Sequence, residues 1–232
     1  MIEYKCNFGN GKERQMKVCI FDLDGTLTDT LTAIAHFGNA ALAANGFNTY
    51  ETDRYRAFVG DGRRRLIERM LDAQGALTDA NYASVCAAYD AAYEADPLYK
   101  TAAYDGICGL LTALRSRGLR LAVCSNKPDN VVHGVIERVF APGTFDLVRG
   151  AVDGGAVKPD PALALEIAEK LDARADECLF VGDTNVDIFT AKNAGMTSVG
   201  VLWGFRDREE LEDAGADYII AAPEELLQIV SQ

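Results

Sequence analysis

Short apolar runs alternate with helical patterns along this chain, and that alternation limits its fold more than any other feature. The runs at 17–22, 120–125, 147–150, 178–182, 198–202 and 218–221 read as strands, and 109–117, 130–140, 161–171, 187–194 and 208–214 read as helices between them. Such an order predicts a parallel sheet with helices on both faces. Right-handed crossovers then bring the C-terminal end of every strand to one edge. Gly118, Gly195 and Gly215 each follow a helical run, as helix C-caps do.

One region breaks the alternation. From about 31 to about 103 no strand pattern occurs, and the segment is rich in Ala, Leu, Tyr and Arg. Leu66, Ile67, Met70 and Leu71 have helical spacing. Inserted between the first strand and the second, this segment reads as a helical cap over the edge where the first strand ends. The expected architecture is α/β: a three-layer, Rossmann-like parallel-sheet core from 16–29 and 104–232, with an inserted all-helical cap over 30–103. Hinges are expected near 28–30 and 103–106, and 1–15 reads as a polar N-terminal extension.

Length and composition set limits. A chain of 232 residues suits one core with a smaller appended module. A net charge of −12 argues against nonspecific nucleic-acid binding, and means that an anionic ligand needs a local cation or a metal. None of Cys6, Cys19, Cys86, Cys108, Cys124 and Cys178 forms a Cys-x-x-Cys pair, and Cys19, Cys124 and Cys178 lie inside apolar runs. That is cysteine usage for a reducing compartment without a zinc site. With only His36 and His133, a histidine metal cluster or Ser-His-Asp triad has little material. No apolar stretch reaches the ~18 residues of a membrane span, and the N-terminus lacks the apolar core of a signal peptide. A cytoplasmic protein is expected, with neither membrane nor nucleic acid as partner.

The chemistry concentrates at the strand ends. The first run ends in Asp22-Leu23-Asp24-Gly25-Thr26. Ligands of open α/β sheets bind outside the carboxyl ends of the strands. Two aspartates there repel unless a cation sits between them, and a hard divalent cation such as Mg²⁺ favours their oxygens. The second strand ends in Ser125-Asn126-Lys127, where a hydroxyl and backbone N–H groups can hold anionic oxygens. Lys158 precedes a proline-opened helix and supplies positive charge. Gly182-Asp183 ends the fourth strand, with Asp187 about one helical turn later. Together, a metal and Lys158 can neutralise a phosphoryl group while one carboxylate attacks it and a second handles protons.

Each residue also has a plainer reading. Ser125 could cap a helix, Lys158 could be solvated, and Asp187 could simply complement a helix dipole. Within the cap, Gly60-Asp61-Gly62-Arg63-Arg64-Arg65 reads as a substrate loop or as a turn with a solvated helix face. Consecutive arginines splay ~100° apart on a helix, so one or two at most can face a site. His36 is expected in packing. Trp203, Gly204 and Phe205 are placed to line the mouth of the site, and Asn126 and Lys127 to shape the phosphate loop.

Asp22-Leu23-Asp24-Gly25-Thr26, Ser125-Asn126, Lys158-Pro159 and Gly182-Asp183 with Asp187 resemble the four signature motifs of the haloacid dehalogenase superfamily of phosphohydrolases. The order and spacing agree from Lys17 to the C-terminus. The insertion resembles the caps placed between the first two motifs. Val59-Gly60-Asp61-Gly62, Asp105-Gly106-Ile107 and Asp183-Thr184-Asn185-Val186-Asp187-Ile188 look most like the phosphoglycolate phosphatase-like branch.

The resemblance implies roles. Asp22 is the nucleophile and a Mg²⁺ ligand. Asp24 is the general acid/base, with its backbone carbonyl on the metal. Asp183 is a direct ligand, and Asp187 an outer carboxylate paired with Lys158. Ser125 and Lys158 hold phosphoryl oxygens. Beside these implied roles, Thr26, Asn126, Gly60 and Arg63 are expected on the substrate side from their places in the motifs and the cap turn. The presence of Asp24 favours phosphoryl chemistry over dehalogenation. The implied activity is Mg²⁺-dependent hydrolysis of a small phosphorylated metabolite through an aspartyl-phosphate, with phosphoglycolate leading. Pyrophosphate or a sugar phosphate is the alternative substrate. A phosphosugar mutase and a non-catalytic binding protein are the alternatives of other classes. The chain is expected as a monomer or homodimer, with Tyr89 and Tyr93 as candidates to pack on a partner.

Overall fold

The computed structural model describes residues 15–96 and 99–231, so the N-terminal extension and Cys6 lie outside the described residues, apart from Gln15. Strand β1 (Val18–Phe21) leads through the short β2 (Thr28–Asp29) into α1 (Leu31–Ala44), a 3-10 helix (Thr52–Ala57), α2 (Gly62–Asp72) and α3 (Asp79–Ala95). After β3 (Ala102–Ala103) come α4 (Ile107–Ser116), β4 (Arg120–Pro128), α5 (Asp129–Val139), β5 (Leu147–Ala151) and α6 (Ala162–Lys170). The chain then runs through β6 (Cys178–Gly182), α7 (Asn185–Ala194), β7 (Thr197–Val201), α8 (Arg208–Asp213), β8 (Tyr218–Ile220) and α9 (Leu226–Ile229).

Six strands form one parallel sheet in the order β5-β4-β1-β6-β7-β8. Successive side chains of a strand point to opposite faces, and β1 is buried on both. Cys19 and Phe21 join Leu110, Leu114, Val132 and Leu226 of α4, α5 and α9 on one face. Val18 and Ile20 join Ala164, Ile167 and Ala191 of α6 and α7 on the other. This double burial explains why β1, β4 and β6 read as unbroken apolar runs rather than as alternating ones.

The sheet order reverses at β1, the switch point where α/β sheets bind ligands. Phe21 is in register with Val123 of β4 and Val181 of β6. Asp22 therefore leaves the sheet level with Cys124 and Gly182, and Ser125 and Asp183 follow on the same edge.

The segment between β2 and β3 is helical and has its own apolar cluster, including Phe37, Tyr55, Leu66, Met70, Val85 and Tyr89. Its two connections to the sheet pair with each other, Thr28 with Ala103 and Asp29 with Ala102, antiparallel. This ribbon corrects the expectation that 31–103 holds no strand. Two residues carry no period to read. Other limits shift slightly. β4 continues to Pro128 through a register shift after Cys124, and α4 starts at Ile107 behind Gly106 (φ +84). α7 starts two residues before the expected point because Thr184 and Asp187 form a capping box.

Candidate active site

The site begins with a tight turn. The N–H groups of Leu27 and Thr28, and the Thr28 hydroxyl, all donate to the Leu23 carbonyl, while Gly25 N–H donates to Thr28 O. The turn presents Asp22 and Asp24 beyond β1. Gly25 allows it, since its φ of +88 favours glycine and a Cβ there would lie 2.4 Å from Asp183 Oδ2. Gly204 is needed on the opposite side, where a Cβ would come within 2.3 Å of Asp183 Cβ.

Lys158 sits under this turn, 2 % exposed. Its Nζ lies 2.8 Å from Asp22 Oδ1 and 2.7 Å from Asp187 Oδ1. Asn126 holds the lysine's own peptide groups: Lys158 N–H donates to Asn126 Oδ1 at 2.8 Å, and Asn126 Nδ2 donates to Lys158 O at 3.1 Å. Asn126 thus fixes the lysine as well as lining the pocket. The second oxygen of Asp187 accepts from Thr184 N–H at 3.1 Å and from its hydroxyl at 2.8 Å. Asp187 is both a helix cap and a counter-ion. Thr26, expected on the substrate side, donates its hydroxyl to Asp183 Oδ1 at 3.0 Å, and Phe205 N–H reaches Asp183 Oδ2 at 2.8 Å.

Asp22, Asp183 and Asp187 each offer an oxygen within 4.8 Å of the others. Burial pushes the Asp22 carboxyl up to about 7; Lys158 opposes that rise and Asp187 adds to it. Burial, then Asp187 and Asp22, push Asp183 well above the usual carboxylate range. Burial would lower Lys158, but Asp187 and Asp22 hold it protonated. Three buried carboxylates against one ammonium leave two negative charges uncompensated. A hard, oxygen-seeking divalent cation fits that donor set and that charge.

A carboxyl whose pKa is higher folded than unfolded stabilises the fold below the unfolded value, about 4. That contribution is lost as pH rises through the folded value, about 7 for Asp22. Without divalent cations, melting should therefore weaken between those limits. Millimolar Mg²⁺ should raise Tm by about 4–8 °C at pH 7.5 and by less at pH 5. Calorimetry with and without chelator reads this, and equal Tm values at pH 7.5 would count against a cation at these carboxylates.

Lys127 was expected only to shape the loop. Its Nζ reaches both oxygens of Asp24, at 3.1 and 3.0 Å, and lies 5.6 Å from the Tyr93 ring centroid. The only sequence signal for this pair was the lysine next to Ser125-Asn126. A pocket of about 240 Å³ opens above these groups, between Asp22, Asp24 and Ser125 of the core and Gly60, Leu66 and Tyr89 of the cap. Arg63 also lines it but pairs with Asp90 at 2.5 Å. Arg64 and Arg65 turn away to Glu68, as the helical splay requires.

The expected aromatic loop splits in role. Phe205 lines the pocket, whereas Trp203 Nε1 donates to Thr26 O at 3.0 Å. Arg56 donates to Gly204 O at 2.7 Å, Arg206 donates to Val59 O at 2.8 Å and to Arg56 O, and these bonds join loop and cap. His36 stacks on Tyr99 at 4.1 Å. Tyr89 points inward, 8 % exposed, which corrects its expected place on a partner-facing surface. No helix among the described residues is long and apolar enough to cross a membrane.

Residues 19–201 match the family model described as haloacid dehalogenase-like hydrolase. A phosphoglycolate phosphatase of Aquifex aeolicus is 32% identical over 215 residues, covering 93% of this chain and 97% of that protein. One of Rhodospirillum rubrum is 34% identical over 208 residues, covering 86% and 85%. The crystal structure of a predicted phosphoglycolate phosphatase from Haemophilus somnus superimposes with a TM-score of 0.86 at 27% identity, covering 96% of this chain and all of that one.

Proposed function

Because the chain belongs to the haloacid dehalogenase-like hydrolases, we propose that it is a Mg²⁺-dependent phosphatase of a small phosphorylated metabolite, working through an aspartyl-phosphate on Asp22. The observation that carries this reading is the buried set Asp22–Lys158–Asp187 beside Asp183, from which Asp22 reaches a pocket that Asp24 also lines.

The residues divide the work. Lys158 holds Asp22 Oδ1 and keeps the carboxylate aimed. Asp22 attacks phosphorus, and the bond to the alcohol oxygen breaks. Asp24 gives that oxygen its proton, then takes one from water as the water attacks the aspartyl-phosphate. Lys127 stays beside Asp24 and offers positive charge to the transferring oxygens. Ser125, 2 % exposed at the pocket floor, supplies a hydroxyl to the same oxygens. Asp22, Asp183 and the backbone carbonyl of Asp24 would hold Mg²⁺, which would neutralise phosphoryl charge. The cap covers the pocket and keeps bulk water from the reacting atoms.

Phosphoglycolate is the first candidate on the names of the relatives. Buried thiols at Cys19 and Cys124 support a reducing, cytoplasmic setting. The test is phosphate release with Mg²⁺ across phosphoglycolate, pyrophosphate, hexose phosphates and nucleotides. Sustained, chelator-sensitive release from one or a few is the expected result. No release from any would overturn the reading, and isomerisation of a hexose phosphate without release would replace it with a mutase.

A further inference from the structure

The organic half of the pocket is built by one stretch of α3. Tyr89, Asp90, Tyr93 and Glu94 lie at helical spacings of one, three and four, so they share a face, and all four line the pocket. Opposite them is Arg63, at the start of α2, the one cationic side chain that the cap contributes to the lining among the described residues. Its Nη1 lies 2.5 Å from Asp90 Oδ1. Lys127, the core's contribution, is held by both oxygens of Asp24.

A substrate whose alcohol carries a carboxylate or a second phosphate needs a cation there. The cap offers one guanidinium already neutralised by Asp90, with Glu94 in excess beside it. A second anion would have to share the Arg63 guanidinium with Asp90 and lie in the same lining as two carboxylates, a like-charge contact that lowers affinity. An ammonium or hydroxyl group could donate to Asp90 or Glu94 without breaking any pair. Ile34, Val59, Leu66 and Phe205 complete the lining with apolar surface and add no cation to it.

We propose that Asp90 and Glu94 select the organic half of the substrate, so that the pocket takes a phosphomonoester whose alcohol bears a hydrogen-bond donor, ammonium ahead of hydroxyl, and disfavours one bearing a second anion. The inference rests on the phosphatase reading and reorders its candidates: phosphoglycolate falls below uncharged and cationic esters of its own length.

The experiment uses three esters matched at two carbons: ethanolamine phosphate, 2-hydroxyethyl phosphate and phosphoglycolate. Their kcat/KM values with wild-type protein should fall in that order, spanning at least about tenfold. Asp90→Asn and Glu94→Gln should each raise the ratio of phosphoglycolate to ethanolamine phosphate by about 3- to 10-fold, mainly through KM. A merely structural role would lower all three substrates together and leave the ratio unchanged. A wild-type preference for phosphoglycolate, or ratios unmoved in both variants, overturns the proposal. If none of the three is turned over, the wider panel decides the phosphatase reading. Dissociation constants of the three esters for the Asp22→Asn protein then decide the charge preference by the same order.

Discussion

Asp22→Asn should reduce phosphate release by at least about 10⁴-fold without unfolding the protein. The amide keeps the volume of the carboxylate and can still meet Lys158, but it is a poor nucleophile and forms no aspartyl-phosphate. Truncating a group that only relays protons typically costs about 10²–10⁴ in rate. Asp24→Asn should therefore lose less than Asp22→Asn, and the order of the two losses separates nucleophile from acid/base. Stability should not follow activity. Lys158 holds Asp22 and Asp187, and Asp183 lies close to both carboxylates, so removing the charge of Asp22 relieves repulsion while Asp187 keeps Lys158 paired. In chelator the variant should melt no lower than wild type. Single-turnover release and a thermal scan on the same preparation check both halves. An Asp22→Asn protein within tenfold of wild type would remove the covalent mechanism.

How much of this was legible in the sequence depended on how local each signal was. The strands beside the switch point were readable because both of their faces are buried: Val18–Phe21 and Cys178–Gly182 present an apolar side chain at almost every position. The aspartates after them were readable because a carboxylate ending such a run has no reason to be there for packing. The β2–β3 ribbon was not readable, because two residues show no period.

Partnerships across the fold were hidden for a different reason. Lys127 and Asp24 are separated by 103 positions, Asn126 and Lys158 by 32, and Arg63 and Asp90 by 27. Nothing in any of these residues alone names its partner. Thr26 shows the same limit: its hydroxyl lies in the first motif yet is taken up by Asp183, 157 positions away. The cap suffered most. Arg63 reads from sequence as a free cation for an anionic substrate, and only the packing of α3 against α2 reveals that Asp90 neutralises it.

The largest stability change should come from Lys158→Met. The side chain is 1 % exposed and lies between two carboxylates, each within hydrogen-bond distance. Methionine fills similar space but leaves Asp22, Asp183 and Asp187 buried around no cation. Removing one partner of a buried ion pair typically costs about 3–5 kcal/mol, which for a domain of this size lowers Tm by about 6–20 °C. Three conditions should reduce the deficit, each for a stated reason. Acid should, because Lys158 opposes the upward shift of Asp22. Without it the folded pKa climbs further, and the stability lost on deprotonation grows as pH rises above about 4. Mg²⁺ should, by supplying the missing positive charge. The second substitution Asp22→Asn should, by removing one of the stranded carboxylates, so the double variant should melt above the Lys158→Met single variant. Turnover should be lost in both, since Asp22 is either unaimed or absent. Thermal scans at pH 5 and 7.5, with and without Mg²⁺, read all three effects. A Lys158→Met protein melting within about 2 °C of wild type at pH 7.5 in chelator would show that the lysine is not what holds these carboxylates together.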